Sequence, residues 1–266
     1  TILFNDLDCQ RLWWNIPGGC SVAPSMSVTV DIWTDINCPF CYLGKKRFLD
    51  ALDGFDHRDD VHVMHRSFEL DPTLGPEDTG SVEQHIAGKY GISVEQARAN
   101  EDRIGAQAAE IGLPYQTRGR DFGSSFDMHR LLHHALAAGR QDELLDALYD
   151  ANFGTPEPLF GDRERLVAVA VAAGLDETDV RRVLADPDVH AEDVRRDEQQ
   201  ATALGVTGVP FFVIGGKYAV SGAQPTEVFG RALQMAWADQ PTLVDVSADD
   251  ATTCGPDGCE IPAARS

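Results

Sequence analysis

Two cysteines separated by two residues are the feature of this sequence with the most direct chemical meaning. Cys38 and Cys41 enclose Pro39 and Phe40, directly after a segment rich in β-branched and aromatic residues. A thiol at the start of a helix is stabilised as a thiolate by free backbone N–H groups and by the helix dipole. The thiolate attacks disulfides, and a second thiol three residues later can resolve the mixed disulfide. The spacing predicts dithiol–disulfide exchange, with Cys38 as the attacking, more accessible thiol and Cys41 as the buried one.

Zinc binding is the alternative chemistry for such a pair. A structural zinc site would need two further ligands on turns, and Cys254 and Cys259 are the available thiols. A pair on a helix with an internal proline suits that geometry poorly, so redox chemistry is favoured. His129 and His133 lie four residues apart on a predicted helix, but no carboxylate at H-E-x-x-H spacing accompanies them. We expect these histidines to pair with nearby acids, and we predict neither a metal nor a cofactor.

The second cysteine pair encloses a turn. Between Cys254 and Cys259 the residues Gly-Pro-Asp-Gly favour a type I turn, with Pro256 at its second position. A disulfide across so short a loop would stabilise the fold by only about 2 kcal/mol. We therefore expect a second redox couple on a mobile arm, which would exchange with the first pair or be reached by an external reductant. Two idle thiols in a tail, or half of a zinc site, are the alternatives.

The residues around the first cysteine pair carry the pattern of a βαβ unit. Apolar and polar residues alternate over 28–34 and again over 61–68, which predicts two strands. Between them, 38–53 has a helical pattern with Pro39 in its first turn, where the missing N–H costs nothing. Two strands joined in this way are parallel, with a right-handed connection. Cys38 is thereby placed at the junction between a strand and a helix.

A second set of strands is predicted near the other end of the chain. Residues 209–214 have the pattern of a buried strand that begins with a proline. Residues 217–221 can pair with it as a hairpin through Gly215-Gly216, and a helix over 225–238 follows. Helical patterns that end at glycines occupy the long segment between the two sets of strands. They cover 82–90, 93–111, 126–138, 141–152, 162–173, 176–185 and 189–204.

This order of elements predicts an α/β fold with a βαβ…ββα core, a large all-helical insertion and an extended C-terminal tail. The first residues show neither periodicity nor the features of a secretory signal, and Met26 directly precedes the first predicted strand. We expect a leader outside the fold, which contains Cys9 and Cys20. The predicted division is 1–25 leader, 26–72 and 205–240 core domain, 73–204 helical insertion, and 241–266 tail with the second cysteine pair.

The composition limits the classes of partner. The formal charge is −21, from 43 acidic and 22 basic residues, and no basic patch is evident. Such a charge repels phosphate backbones and anionic lipid surfaces, so we expect no nucleic acid and no membrane partner. No run of about 18 apolar residues suggests a transmembrane helix. Without a secretory signal, and with cysteines in close pairs, a cytoplasmic location is expected.

From Met26 to about Asp239 the chain resembles the DsbA family of thioredoxin-fold thiol–disulfide oxidoreductases, and most closely its FrnE-like cytoplasmic branch. The resemblance rests on the strand followed by Cys-Pro-Phe-Cys, on the helical insertion with its segment Phe126–Leu132 (FDMHRLL), and on Gly205–Ile214 (GVTGVPFFVI). It implies a thioredoxin-like core. It also implies a cis peptide bond before Pro210, close to the active-site cysteines, and backbone groups of Val209 that pair with an extended substrate. Phe40 and Pro210 would add apolar surface to that binding site.

One difference from the best-known periplasmic members bears on the redox potential. Those members carry a histidine between the two cysteines, whereas this chain has Phe40. A histidine can donate a charge-assisted hydrogen bond to the thiolate, and phenylalanine cannot. Cys38 is therefore expected to be a less stabilised thiolate, in a milder oxidant suited to isomerisation or reduction.

The resemblance implies an enzyme, a protein disulfide oxidoreductase or isomerase. Its partners would be disulfide-containing or unfolded proteins and an external thiol reductant. One alternative is a glutathione-dependent isomerase or kappa-type transferase, although such proteins usually have serine in place of the first cysteine. Another is a chaperone that binds peptides around Phe40 and Pro210 without redox turnover.

Overall fold

The computed structural model describes residues 27–240. In chain order its elements are β1 (Val28–Thr34), α1 (Pro39–Asp53), β2 (Val61–Ser67), β3 (Gly80–Ser81), α2 (Val82–Tyr90), α3 (Val94–Glu110), β4 (Asp121–Phe122), α4 (Phe126–Ala137), α5 (Gln141–Tyr149), α6 (Arg163–Ala172), α7 (Glu177–Ala185), α8 (Ala191–Ala203), β5 (Phe211–Ile214), β6 (Tyr218–Ser221) and α9 (Thr226–Ala238). The predicted α/β fold class is confirmed.

The central sheet has the strand order β2-β1-β5-β6. Strands β1 and β2 are parallel, whereas β5 runs antiparallel to β1 and forms a hairpin with β6. The parallel βαβ unit and the C-terminal hairpin are therefore as predicted. Strand β5 begins at Phe211, two residues after the predicted start at 209. Pro210 has no N–H to donate to the neighbouring strand. Its carbonyl accepts a hydrogen bond from the N–H of Gly222 (2.8 Å).

Helices cover both faces of this sheet. On one face, Val30 and Ile32 of β1 are buried together with Phe48 of α1 and Phe229 of α9. On the opposite face, the indole of Trp33 donates to the carbonyl of Asp197 in α8 at 2.9 Å. Because successive strand residues point to opposite faces, one strand thus anchors two helical layers.

The segment between β2 and β5 is helical apart from one small pairing that was not predicted. Strands β3 and β4 pair antiparallel over two residues each, Gly80 with Phe122 and Ser81 with Asp121. Two residues carry no measurable periodicity, so pattern analysis does not detect them. Among residues 27–240, no helix is both long enough and apolar enough to cross a bilayer.

A close contact between α1 and the loop before β5 depends on a glycine. A Cβ added at Gly44 would lie 2.9 Å from Cγ of Pro210 and 3.5 Å from Cα of Ala223. Real Cβ atoms do not approach a ring carbon so closely, and a proline ring has little freedom to move. The absent side chain at position 44 therefore lets the Pro210 loop lie against the helix that carries both cysteines.

We expect Gly44→Ala to destabilise the fold by about 1–3 kcal/mol, because the added methyl group overpacks this contact. The matched control is Gly88→Ala in α2, where nothing lies within 4 Å of the added Cβ and alanine's higher helix propensity is worth about 0.5–1 kcal/mol. Urea unfolding of the two variants measures both effects. Equal stabilities would contradict the assigned contact.

Candidate active site

Cys38 lies at the point where the chain leaves the sheet and enters α1. It is the N-cap of that helix, with extended backbone angles (φ −88°, ψ 108°), and Pro39 occupies the first helical position. The Cys38 carbonyl accepts from the N–H groups of Cys41 (3.0 Å) and Tyr42 (3.3 Å). A helix N-terminus favours negative charge, so a thiolate on Cys38 lies in a favourable field.

Both cysteines of this pair are free thiols, and both are buried. Cys38 is 3% exposed and Cys41 1%. The order of exposure agrees with the prediction that Cys38 is the more accessible of the two thiols, and the difference is small. The Cys38 thiol lies under the loop before β5 and donates to the carbonyl oxygen of Val209 at 3.5 Å. The Val209–Pro210 peptide bond is cis, as the family resemblance implies.

The two thiols differ in their electrostatic surroundings. Burial raises the pKa of the Cys41 thiol well above its ordinary value, and the hydrogen bond and charge of Cys38 raise it further. The Thr34 hydroxyl and the backbone of Asp35 act in the opposite direction, because their hydrogen bonds favour the thiolate. Cys41 is consequently protonated at neutral pH, which suits a group that reacts second.

A buried carboxylate fixes the loop that leads to Cys38. Asp35 is fully buried, and its oxygens accept from the backbone N–H groups of Leu70 (2.7 Å) and Asn37 (3.2 Å). The carbonyl of Asp35 accepts from the N–H of Cys38 at 3.1 Å. Nε2 of buried His129, in the segment FDMHRLL, lies 3.5 Å from the Asp35 carboxylate. These contacts set where the first turn of α1 begins.

The helical insertion also holds this loop. The Asn37 side chain donates to the carbonyl of Gly123 (2.8 Å), and the Asn152 side chain donates to the carbonyl of Ile36 (2.8 Å). Asn152 lies in a π-helical turn, Asp150–Gly154, that continues α5. The sequence pattern extends a helix to residue 152, which is wrong beyond Tyr149, because a π turn retains helical periodicity locally while it shifts side-chain directions.

A groove of about 560 Å³ lies beside Cys38, between the Val209 loop and helices α2 and α3. Its apolar lining includes Phe40, which is 44% exposed, together with Ile86 and Tyr90. Lys89 and Arg103 add positive charge. The size falls in the range of pockets that hold small molecules or short peptide segments. Cys38, Phe40 and Val209 therefore all line one groove.

A buried ion pair forms part of the groove's lining. Glu101 and Arg120 are almost fully buried, and the guanidinium also donates to the phenol of Tyr115 at 2.9 Å. His85 stacks on Phe122 in the same region, with ring centroids 3.7 Å apart. No short sequence pattern marks these residues, since Glu101 and Arg120 are 19 residues apart and His85 and Phe122 belong to separate elements.

The second histidine that the sequence analysis considered as a metal ligand also has an acidic partner. His133 lies 3.2 Å from Asp197 and hydrogen-bonds the Ser67 hydroxyl at 3.1 Å, which agrees with the expected pairing to acids. Across the described part of the chain, no three His, Cys, Asp or Glu side chains are grouped so that they could hold a metal ion. Cys254 and Cys259 lie outside the described residues, as do Cys9 and Cys20.

Comparison with known proteins identifies relatives of the whole described region. A sequence model of the DSBA-like thioredoxin domain matches residues 29–234. A probable DsbA oxidoreductase from Streptomyces coelicolor is 55% identical, with a TM-score of 0.79 over 88% of this chain and 99% of that one. YwbO, an uncharacterised protein of Bacillus subtilis, is 25% identical over 211 residues, which are 78% of this chain and 96% of that protein.

A more distant solved structure shares the fold alone. The cytosolic disulfide reductase DsbM from Pseudomonas aeruginosa, in its structure with glutathione, is 16% identical. Its TM-score is 0.52, over 79% of this chain and 96% of that one. The same chain topology therefore occurs in a protein that reduces disulfides.

The difference between the two thiols predicts unequal alkylation. With iodoacetamide at pH 7, Cys38 in a Cys41→Ser variant should react readily, because the helix N-terminus favours its thiolate. Cys41 in a Cys38→Ser variant should react slowly until the pH lies well above about 8.5, since its raised pKa keeps it protonated. Peptide mass mapping over a pH series measures both rates. Equal rates at pH 7 would contradict the assignment.

Proposed function

The chain belongs to the DSBA-like thioredoxin domain family, and from this premise we propose that it is a protein disulfide oxidoreductase or isomerase that works through Cys38 and Cys41. The observation that carries the proposal is the position of Cys38. Its thiol lies at a helix N-terminus, against the carbonyl of Val209, and beside a groove open to substrate. Cys41 lies behind it as the resolving thiol.

The proposed reduction of a disulfide has two steps. The Cys38 thiolate attacks one sulfur of the substrate disulfide, and the other sulfur leaves as a thiolate that takes up a proton. Cys41 then attacks Cys38, which forms the Cys38–Cys41 disulfide and releases the substrate as a dithiol. An external thiol reductant returns the enzyme to its free thiols. In isomerisation, a second thiol of the substrate attacks the mixed disulfide instead and restores Cys38 directly.

The substrate would bind as an extended segment along the Val209–Pro210 loop. Backbone groups of Val209 would pair with the substrate backbone, as in strand addition. Exposed Phe40 and the apolar side of the groove would contact substrate side chains next to the disulfide. Unfolded or partly folded proteins expose such segments, which supports protein disulfides as the substrate class.

We propose that the protein works in a reducing compartment. Phe40 occupies the position of the histidine that makes periplasmic relatives strongly oxidising, so the pair is suited to reduction or isomerisation in the cytoplasm. The second pair, Cys254 and Cys259, is proposed as a further redox couple that passes electrons to Cys38 and Cys41. FrnE-like proteins are the branch of the family to which we assign the chain.

Glutathione-dependent chemistry is a second candidate, which the charge of the groove favours. Lys89 and Arg103 offer cations for the carboxylates of a small thiol. DsbM from Pseudomonas aeruginosa, which shares the fold, has a solved structure with glutathione. Against this candidate, both cysteines are present here, whereas glutathione-dependent isomerases and kappa-type transferases usually have serine first.

Activity on scrambled ribonuclease and on insulin, with and without glutathione, tests the proposal. Wild-type protein should act on both, and Cys38→Ser should reduce activity to the background of the assay, because the thiol that this variant leaves among residues 27–240, Cys41, is buried and protonated. Cys41→Ser should keep part of the isomerase activity but lose net reduction, since resolution needs the second thiol.

Two results would contradict the proposal. Full refolding activity of Cys38→Ser would indicate a peptide-binding chaperone. Turnover of a small aromatic compound that depends on glutathione, without action on protein disulfides, would indicate the isomerase or transferase class.

A further inference from the structure

The groove beside Cys38 carries a charge opposite to that of the whole chain, which is −21. Its lysine, arginine and acidic lining residues are Lys89, Arg103, Arg120 and Glu101. Arg120 and Glu101 form a buried ion pair, so their charges cancel. His85 also lines the groove, but burial and the charge of Lys89 lower its pKa, and its imidazole is neutral at pH 7. Two exposed cations therefore make the lining positive.

Neither of these two cations is neutralised by a neighbouring acid. Most lysines and arginines in the described part of the chain lie within 4.0 Å of a carboxylate, as Arg118 does with Asp102 at 2.7 Å. Lys89 and Arg103 have no such partner among residues 27–240. The chain has 43 acidic and 22 basic residues, so acids are in excess and pairing is the common outcome. The charges of Lys89 and Arg103 are thus available to a ligand.

Lys89 is connected by hydrogen bonds to the loop that carries Cys38. Its ammonium group donates to the carbonyl of Leu70 at 3.2 Å. The N–H of Leu70 donates to the carboxylate of Asp35 at 2.7 Å, and the carbonyl of Asp35 accepts from the N–H of Cys38 at 3.1 Å. An ammonium group has three N–H donors, so two of them remain for a ligand.

Arg103 lies on the face of α3 that lines the groove. Helical spacing brings Asn100, Arg103, Ile104 and Gln107 to this face, and the Arg103 guanidinium donates to the Asn100 side chain. From Asn100 to Gln107 the helix extends about 10 Å, which is the length of about three residues of an extended chain. The groove can therefore follow a short stretch of polypeptide.

The apolar part of the lining favours a polypeptide over a small thiol such as glutathione. Ile86 and Ile104 line the groove together with two exposed aromatic rings, Phe40 (44% exposed) and Tyr90 (67% exposed). Glutathione has carboxylates but no apolar side chain to cover these groups. A protein segment supplies both kinds of contact.

We propose that Lys89 and Arg103 select protein substrates in which aspartate or glutamate, together with apolar residues, flanks the disulfide. The two cations pair with the carboxylates of the substrate, while Phe40 and Tyr90 contact its apolar side chains. Lys89 and Arg103 determine specificity and take no part in the exchange of sulfur bonds. The inference rests on the proposed function and names its substrate class.

The local charge and the charge of the whole chain predict opposite preferences. A net charge of −21 repels an acidic peptide and attracts a basic one. At an ionic strength of about 0.1 M, charges more than about 10 Å apart are largely screened, so the groove cations dominate the energy of a bound peptide. Faster reaction of an acidic peptide therefore requires local contacts and cannot arise from the net charge.

Matched peptides test the inference. Short peptides with blocked ends carry one central cysteine as a disulfide with 2-thiopyridine, leucine on one side, and glutamate, glutamine or lysine at the other flanking positions. The Cys38 thiolate attacks the cysteine sulfur of the peptide, and thiopyridone leaves with the electron pair, takes up a proton and is measured by its absorbance. The enzyme is the full chain in which Cys38 is the single cysteine, with serine at the other cysteines, Cys9, Cys20, Cys41, Cys254 and Cys259.

With the native groove, we expect the glutamate peptide to react about threefold to tenfold faster than the glutamine peptide, the range for two partly exposed ion pairs. The lysine peptide should react most slowly. Lys89→Gln combined with Arg103→Gln should bring the ratio of glutamate to glutamine rates close to one. The matched control is Arg98→Gln, which removes an exposed cation without an acidic partner from another face of α3 and should keep the ratio.

Charge reversal gives a result that loss of folding would not give. Lys89→Glu combined with Arg103→Glu should make the lysine peptide the fastest of the three. Salt at about 1 M should remove the preference of the native groove, because ion pairs at the surface are then screened. Equal rates for the three peptides with the native groove would overturn the inference, as would a ratio that the two glutamine substitutions leave unchanged.

The disulfide of glutathione with 2-thiopyridine tests the other source of carboxylates. If it reacts faster than the glutamate peptide, and Lys89→Gln with Arg103→Gln slows it, the groove belongs to a small thiol and the inference is overturned. If the peptide preference is found but insulin and scrambled ribonuclease are not substrates, the proposed function fails and the preference of the groove stands. If both proteins are substrates and the preference is absent, the inference alone fails.

Discussion

Burial of the Cys38–Cys41 pair is the constraint on which the arrangement of the site depends. Cys38 is held at a helix N-terminus under the Val209 carbonyl, and Cys41 is placed one turn further into the protein. The first position favours a thiolate through backbone N–H groups, whereas the second disfavours one through loss of water. The surroundings therefore favour a thiolate at Cys38 and disfavour one at Cys41. This difference suits the proposed order of reaction, in which Cys38 attacks first and Cys41 resolves the mixed disulfide.

The helical insertion takes part in the site instead of only enlarging the fold. Its π-helical turn provides Asn152 to the carbonyl of Ile36 and carries Phe153, which stacks on Tyr42 at 5.1 Å next to Cys41. The guanidinium of Arg120 lies 4.8 Å from the centroid of the Phe153 ring. Helices α2 and α3 also form one wall of the groove beside Cys38. The inserted segment in this way forms part of the groove beside Cys38 and part of the apolar surroundings of Cys41.

Much of the fold follows from local patterns in the sequence. The helix over 82–90 and the strand over 28–34 have the predicted bounds, because periodicity, caps and glycine stops all lie within the segment concerned. Local patterns failed where a contact is not local. The pairing of β3 with β4 and the Thr34–Tyr149 hydrogen bond join residues that no short window contains.

The candidate site shows the same division between local and long-range information. Cys38 and Cys41 are apparent from their spacing, and Pro210 from the family resemblance. The burial of Cys38 could not be predicted, because it depends on the Val209 loop, which lies 171 residues further along the chain. The helix prediction to residue 152 failed because a π turn differs from an α-helix by one residue per turn and leaves the amphipathic pattern almost unchanged.

The central claim is that Cys38 is the thiol that attacks a disulfide and Cys41 the thiol that releases it. Trapping tests this most directly: a full-length Cys41→Ser variant is mixed with a disulfide-bonded protein such as insulin, and the covalent product is mapped by mass spectrometry. The account predicts a mixed disulfide at Cys38 that dithiothreitol removes and that wild-type protein does not accumulate. An adduct at Cys254 or Cys259 with Cys38 left free, or no adduct at all, would contradict it.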